Sequence, residues 1–536
     1  MKLKIIFIGF VFLTKYLNAQ HSNLPNIVWI SCEDISPRLS FYGDSTIKTP
    51  NLERLAREGV VYNNVFTTAG VCAPSRCAII TGVNQVTAGG HNMRTLNIIP
   101  PENSGLPKSY SIVPPPEVKA FPEYLRAQGY YCTNKSKTDY QFAAPPTVWD
   151  ESGEKATWRN RQPGQPFFAV VNYEVTHESQ VWVRKNHPLH VDPSTVPVPP
   201  IYPDTKTVRK DIARFYSNII DLDSLVGILL NQLEEDGLMD NTYIFFWSDH
   251  GDGLPFFKRE LYDRGLRIPL IVRSPEKEKA GEKDERLISA VDFAPTVLSI
   301  AGIQAPTYMQ GSAFLGAYKS KEQVFIYAAR DRMDSEYDRV RAIRDKHFKY
   351  IRNFHPELPL YQNIEYRLQQ DMMKELLDLK EKGELNEVQM KWFIPKKPVE
   401  ELYDITVDPW ELNNLADVPA YKNQLEKMRI EMNNWLKRAD DKGATPEKEL
   451  IKQMWNGKDS PPETAIVNIS IDASKATLTC ATKGASIAFK LFDKNEKEPT
   501  SWQVYTHPIA ISKGQIIRAV AQRIGYEKSK ETFSEL

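Results

Sequence analysis

Three short stretches hold side chains that could do chemistry together. Glu33-Asp34 puts two adjacent carboxylates straight after an apolar run, Asn26 to Cys32. Asp249-His250-Gly251-Asp252 follows a second such run, Thr242 to Ser248. Each has a plain structural reading, since an acid pair can cap a helix and an Asp-His-Gly turn is common. Hard divalent cations, however, need several oxygen ligands from different segments, and sheet edges can deliver them to one point. On spacing alone the two readings stand level. The third stretch is Cys72-Ala73-Pro74-Ser75-Arg76, followed by Thr81-Gly82. A cysteine opening a Pro-primed helical turn can be a small buried hydrophobe. Beside Arg76 and a helix N-terminus it can instead face an anion.

The elements that must position these groups read as alternating strands and helices. Asn26 to Cys32 is apolar throughout, the pattern of a strand buried on both faces. Thr49-Pro50 predicts an N-cap and a preset first turn, and Gly59 a stop, with Leu52, Leu55 and Ala56 on one face. Further strands are predicted at 60–66, 166–173, 242–248 and 268–273, and helices at 121–128 and 208–235. That alternation predicts a doubly wound α/β sheet, whose ligands bind outside the carboxyl ends of the strands. Two Pro-dense stretches, 97–117 and 186–206, read equally as binding loops or as surface wrapping. The expected organisation is a catalytic α/β domain over 20–340, a smaller α+β subdomain over 341–442, a polar linker at 443–463 and a small β-sandwich over 464–536.

Composition excludes several classes. The chain has 536 residues, 41% hydrophobic and 25% charged, which excludes disordered, collagen-like and multi-span membrane proteins. Lys+Arg and Asp+Glu both number 68, so no global field favours nucleic acid or anionic lipid, and an anionic substrate needs a local basic site. Lys2 and Lys4, the apolar run Ile5 to Leu13 and Leu17-Asn18-Ala19 read as an export signal over 1–19, giving a periplasmic or secreted protein with no membrane span. Export permits disulfides, yet five cysteines leave at least one unpaired.

Cys-x-Pro-Ser-Arg with Thr-Gly at this offset resembles the signature of the type I, formylglycine-dependent sulfatases of the alkaline phosphatase superfamily. The resemblance runs from Asn26 to about Asp417, where Glu401-Leu402-Tyr403-Asp404 and Asn413-Asn414-Leu415 are similar to the family's closing segment. It implies a mixed sheet of the alkaline phosphatase type and a sulfuric ester hydrolase. Cys72 would be oxidised to formylglycine (3-oxoalanine) by a formylglycine-generating enzyme, and one hydroxyl of its hydrate would attack sulfur while the other later expels sulfate. Glu33, Asp34, Asp249 and His250 match the metal-ligand positions, with the modified Cys72 facing the same ion. Arg76 would hold the formylglycine, Lys258 would contact the sulfate, and His177 matches the general acid near the leaving oxygen.

The chain departs from the family pattern at chemical positions. Glu33 stands where Asp is usual, which a flexible Ca²⁺ shell absorbs more easily than Mg²⁺, so Ca²⁺ is the expected ion. His250 brings a nitrogen ligand. The family's Gly-Lys-x-His motif reads Ser136-Lys137-Thr138-Asp139, so Lys137 keeps its place while Asp139 replaces the histidine that serves sulfate release. The context of these motifs resembles a bacterial branch that contains heparan N-sulfatases and enzymes acting on ulvan, implying a sulfated oligo- or polysaccharide substrate. His91, Asn92 and Arg94 are substrate-binding candidates, with a structural role equally open. Two alternatives are a phosphodiesterase or phosphonate hydrolase of the same superfamily and a glycan-binding protein without activity.

Overall fold

Apolar residues on β1 (Asn26–Cys32) alternate between two cores. Val28, Ile30 and Cys32 enter one, and Ile27 and Trp29 enter the other. A strand buried on both faces needs helices on both sides of its sheet. The computed structural model, which describes residues 24–96, 98 and 101–536, has that architecture. The expected export signal lies outside the described residues.

The main sheet also contains β2 (Val60–Phe66), β3 (Tyr131–Lys135), β4 (Glu151–Ser152), β5 (Phe167–Tyr173), β6 (Thr242–Ser248), β7 (Leu270–Arg273) and β8 (Lys283–Ser289). Their spatial order is β4-β3-β5-β1-β6-β7-β2-β8. β7 runs antiparallel to both neighbours and the other pairings are parallel, so the sheet is mixed. The helices Pro50–Glu58 and Lys206–Glu235 cover one face. Cys72–Thr81, Pro122–Ala127 and Phe293–Ile300 cover the other.

Register aligns the ends of the central strands. Cys32 is level with Tyr173 of β5 and with Ser248 of β6. The residues after these three strands therefore emerge side by side at one edge.

Two local expectations are replaced by tertiary contacts. Thr49 sits at the helix start, but its hydroxyl makes no capping bond. The Asp223 carboxylate, reaching across from the long helix, accepts the N–H of Asn51 and of Leu52 instead. The expected linker 443–463 contains a helix, Glu447–Met454. Glu447, Leu450, Ile451 and Met454 share one buried face at helical spacing, a pattern hidden by the polar composition around it. Glu447 accepts bonds from Arg332, Tyr110 and Tyr337.

A second, antiparallel sheet joins β9 (Ile326–Arg330), β10 (Val340–Arg344), β11 (Phe348–Asn353) and β12 (Glu400–Asp404) in the order β12-β11-β10-β9. Helix Lys422–Ala439 packs on it through Leu425, Met428, Met432 and Trp435. The C-terminal strands form a three-stranded and a four-stranded antiparallel sheet around Val467, Leu478, Phe489 and Ile517. This unit is docked on the main body. Lys119 donates to Ser486, Arg126 to the Trp502 carbonyl, and Ile524 is buried in the core that holds Ile112.

All five cysteines are free thiols, so the fold rests on its cores and not on disulfides. Among the described residues no helix is long and apolar enough to cross a membrane.

Candidate active site

The shared level of β1, β5 and β6 places Glu33-Asp34, His177-Glu178 and Asp249-His250 around one point. Asp34 has φ of 57°, a left-handed conformation that a non-glycine residue holds only when its surroundings demand it. Those demands are visible. Its N–H donates to Asp249 Oδ1, and its Oδ2 accepts from Lys258 Nζ at 2.6 Å and from the Glu178 N–H at 2.7 Å. Close approach of loops requires Gly251, where a Cβ would lie 2.2 Å from the Arg264 carbonyl oxygen. At Gly253 a Cβ would lie 2.8 Å from Asp34 Oδ2.

Ligand-type atoms of Asp34, Cys72, Asp249 and His250 lie within 4.8 Å of one another, and so do those of Glu33, Asp34, Cys72 and His177. His250 Nδ1 faces the Gly251 carbonyl oxygen at 2.9 Å, which fixes its proton on Nδ1. Nε2 lies 3.0 Å from Asp34 Oδ1 and 3.2 Å from Cys72 Sγ, where its lone pair would be available to a bound cation. Glu33 Oε2 is buried with no hydrogen-bond partner, and the equally buried Asp34 Oδ1 has only its ion pair with His250. Unpartnered acceptors converging on one point fit a cation held among them. Without one, burial raises the Glu33 carboxyl to about 7 against the pull of Lys137. Burial would lower the His250 pKa, but the Asp249 and Asp34 carboxylates outweigh it and raise it well above the usual range.

Cys72 begins the signature helix, buried at its N-terminus, and burial raises its thiol pKa. Three cations surround it. Arg76 donates to Asp249 Oδ2, Glu33 Oε1 and Asn172 Oδ1. Lys137 pairs with Glu33 Oε1 at 2.6 Å and with Asp139 at 3.2 Å. Lys258 lies between Asp34 and Glu178. Burial acts to discharge both lysines, but the facing carboxylates overcome it and raise their pKa values. The site therefore offers fixed positive charge to an anion.

His177 Nδ1 accepts the Ser179 N–H at 3.3 Å and lies 2.8 Å from the Ser179 hydroxyl. Its Nε2 accordingly carries the proton and points toward Glu33 Oε2, 3.9 Å away. Burial, reinforced by Lys258, lowers the His177 pKa to about 4, so the imidazole is neutral at neutral pH.

The structure thus gathers Glu33, Asp34, Cys72, Arg76, Lys137, Asp139, His177, Asp249, His250 and Lys258. His91 is placed elsewhere, buried in the wall of a cavity of about 510 Å³ that Asp331, Tyr337 and Glu447 also line. Asn92 lines the same cavity and accepts the Arg332 N–H. Arg94 lies nearer the site, its guanidinium 5.0 Å from the centre of the Tyr366 ring, which in turn is 6.2 Å from the His177 ring.

Sequence reasoning missed two supports. Asn172, on β5, accepts from Arg76 and donates to the carbonyls of Lys135 and Lys137, tying the lysine loop to the sheet. Glu178 takes two bonds from Arg259, at 2.7 and 2.9 Å, and steadies Lys258. A buried Asn inside an apolar strand was the available signal for the first. Glu178 directly follows His177 and carried none.

The sequence model of the sulfatase family matches residues 25–303. The model of the C-terminal part of N-sulphoglucosamine sulphohydrolase matches residues 251–392. An ulvan-active sulfatase of Formosa agariphila is 45% identical, over 94% of this chain and 90% of that protein. Human N-sulphoglucosamine sulphohydrolase is 25% identical, over 74% of this chain and 86% of that protein. A protein solved in complex with its substrate D-glucosamine-2-N,6-O-disulfate superposes with a TM-score of 0.56 at 18% identity, over 80% of this chain and 100% of that one. The structural likeness establishes the fold, that of the alkaline phosphatase-like sulfatases.

If the unpartnered carboxylates are a cation site, Ca²⁺ added to chelator-treated protein will raise its melting temperature. At a hundredfold excess over Kd the gain is about 2.7 kcal/mol. Asp34→Asn and Asp249→Asn should each abolish the shift in calorimetry. A melting temperature indifferent to divalent cations would remove the site.

Proposed function

The chain belongs to the sulfatase family, and from that premise we propose that it is exported and removes sulfate from oligosaccharides of a sulfated polysaccharide. The observation that carries this reading is Cys72 at the start of a buried helix, faced by three fixed cations and by carboxylates with unpartnered oxygens. The ulvan-active relative supports an algal polysaccharide as the substrate class, and the match to the N-sulphoglucosamine sulphohydrolase C-terminal part supports glycosaminoglycans as the neighbouring one.

In this reading Cys72 is matured to formylglycine by a formylglycine-generating enzyme. One hydroxyl of the hydrate forms a bond to sulfur as the S–O bond to the sugar breaks. The second hydroxyl then loses its proton, the aldehyde re-forms, sulfate leaves, and water restores the hydrate. Glu33, Asp34, Asp249 and His250 would hold a divalent ion, Ca²⁺ in preference to Mg²⁺, which would supply Lewis acidity to the hydrate and positive charge to the sulfate.

The remaining roles follow from the side chains. Arg76, Lys137 and Lys258 keep their charge and are positioned before substrate arrives, so they stabilise developing negative charge without reorganising. His177 is neutral in the free protein and donates through Nε2–H. A sulfate ester binding beside it adds negative charge, raises its pKa and prepares it to deliver a proton to the leaving oxygen. Asp139, half-exposed beside Lys137, takes the proton during sulfate release.

Sulfate release from defined ulvan, glycosaminoglycan, fucoidan and carrageenan oligomers tests the function, with an aryl sulfate and an aryl phosphodiester compared under matched conditions. The protein should prefer the sulfate, and peptide mass spectrometry should find the aldehyde at position 72. Cys72→Ser should stay folded and lose nearly all turnover, because serine lacks the second geminal hydroxyl. Preference for the phosphodiester would overturn the assignment.

His177→Ala should cost about 10²–10⁴-fold on a sugar sulfate, whose alcohol leaves poorly. The loss should be much smaller on a nitrophenyl sulfate, which needs no proton to depart. Equal losses on both would remove His177 from the acid role.

Asp139→Asn should spare the first transfer and slow release, so that a sulfated adduct accumulates in the intact mass. Weakened binding without adduct, shared with Lys137→Ala, would make Asp139 a support for Lys137 instead.

A further inference from the structure

Beyond His177 the site continues into a wall that the chemistry above does not use. Tyr366 lies between the His177 ring and Arg94, and Trp182 meets it edge-on with ring centres 5.2 Å apart. Arg94 stacks on the outer side of Tyr366 and keeps 30% of its side chain exposed. Among the described residues its guanidinium makes no hydrogen bond, and its one carboxylate neighbour, Asp334, stands 3.6 Å from Nε. Asp334 is 3% exposed, and neither of its oxygens has a hydrogen-bond partner. Arg94 and Asp334 both hold left-handed backbone, with φ of 55° and 51°.

From this we infer that Arg94, positioned by Asp334 and Tyr366, is an anion-reading subsite for the substrate, one sugar ring away from the reacting sulfate. This rests on the polysaccharide sulfatase reading and adds which saccharides the same site selects. A sugar carrying the leaving oxygen at His177 lies against the Tyr366 and Trp182 rings, which suit a pyranose face. A charged group on the next sugar then reaches the free donors of Arg94. The guanidinium fork matches a planar carboxylate in two-point contact and also accepts a sulfate, so the recognised chemistry is an anionic substituent, either a uronate or a second sulfate. Asp334 does not touch substrate in this scheme. Its buried carboxylate, 3.6 Å from Arg94 Nε, holds the guanidinium over Tyr366.

Three oligosaccharides with the same scissile sulfate test the inference. In the first the neighbouring sugar is a uronate, in the second that carboxyl is reduced to an alcohol, and in the third the neighbour is a neutral sugar bearing a sulfate. The full-length protein should favour at least one charged neighbour over the reduced one by about 10- to 100-fold in kcat/KM. Which arm wins identifies the source of the anion. Arg94→Gln should erase the preference, and Arg94→Lys should restore part of it. Asp334→Asn should raise KM for the preferred substrate several-fold with kcat little changed, a split that a general folding defect would not produce. Equal kcat/KM on all three substrates, or a preference that survives Arg94→Gln, would overturn the subsite and leave the sulfatase reading standing. Failure to release sulfate from any of the three would overturn both.

Discussion

The molecule is organised around a buried balance of charge. Glu33, Asp34, Asp249 and Glu178 are taken out of water at the edge of the sheet, and Arg76, Lys137, Lys258 and Arg259 are taken with them. Desolvating a charge costs several kcal/mol per ion unless close partners return it. That requirement explains the local strain. Asp34 adopts left-handed backbone because its carboxylate must reach Lys258 while its N–H meets Asp249. The balance is incomplete on one side, since Glu33 Oε2 and Asp34 Oδ1 keep unused lone pairs. A buried network with open acceptors is costly as a scaffold and useful as a binding site.

Such a network can be assembled only if its members arrive in register, and the parallel centre of the sheet provides this. β5, β1 and β6 are neighbours, and Tyr173, Cys32 and Ser248 are level. A slip of one residue in either pairing would turn every side chain of the strand to the opposite core. The cores are large and tightly apolar, with Trp29 and Trp247 fully buried, so the slip is excluded by packing. The hydrophobic cores thus set the distances between the charges, and Trp247 of one core lies under the Arg76 guanidinium.

This division explains what can be read from residues alone. β1, β2 and β6 have the expected limits because unbroken apolar runs leave little choice, and the residues that follow β1 and β6 carry the site. β3, with Thr133, Asn134 and Lys135, escapes prediction, since polar residues serving the site break its apolar signal. The helix Glu447–Met454 reads as linker in the sequence because its single apolar stripe has meaning only against the partners that bury it. Site residues with familiar spacing came together. The supports Glu178, Arg259 and Asp334 act through contacts distant in the chain, and no local pattern announces them, whereas Asn172 is marked only as a polar residue in an apolar strand.

Two of the expected departures, Glu33 and Asp139, meet at one ammonium group. Glu33 is a methylene longer than the usual aspartate, and that reach brings Oε1 to 2.6 Å from Lys137 while Arg76 holds the same oxygen. Asp139, in place of histidine, gives Lys137 a second carboxylate at 3.2 Å. A neutral or positive imidazole there would leave Lys137 leaning wholly on Glu33 and drawing it from the unpartnered cluster. A carboxylate shares the ammonium and lets Glu33 keep its other oxygen turned toward His177. Because Glu33 and Asp139 share Lys137, the effects of substituting them are expected to be coupled and not additive. Of the two carboxylates that share Lys137, Glu33 is wholly buried and Asp139 keeps 40% of its side chain exposed.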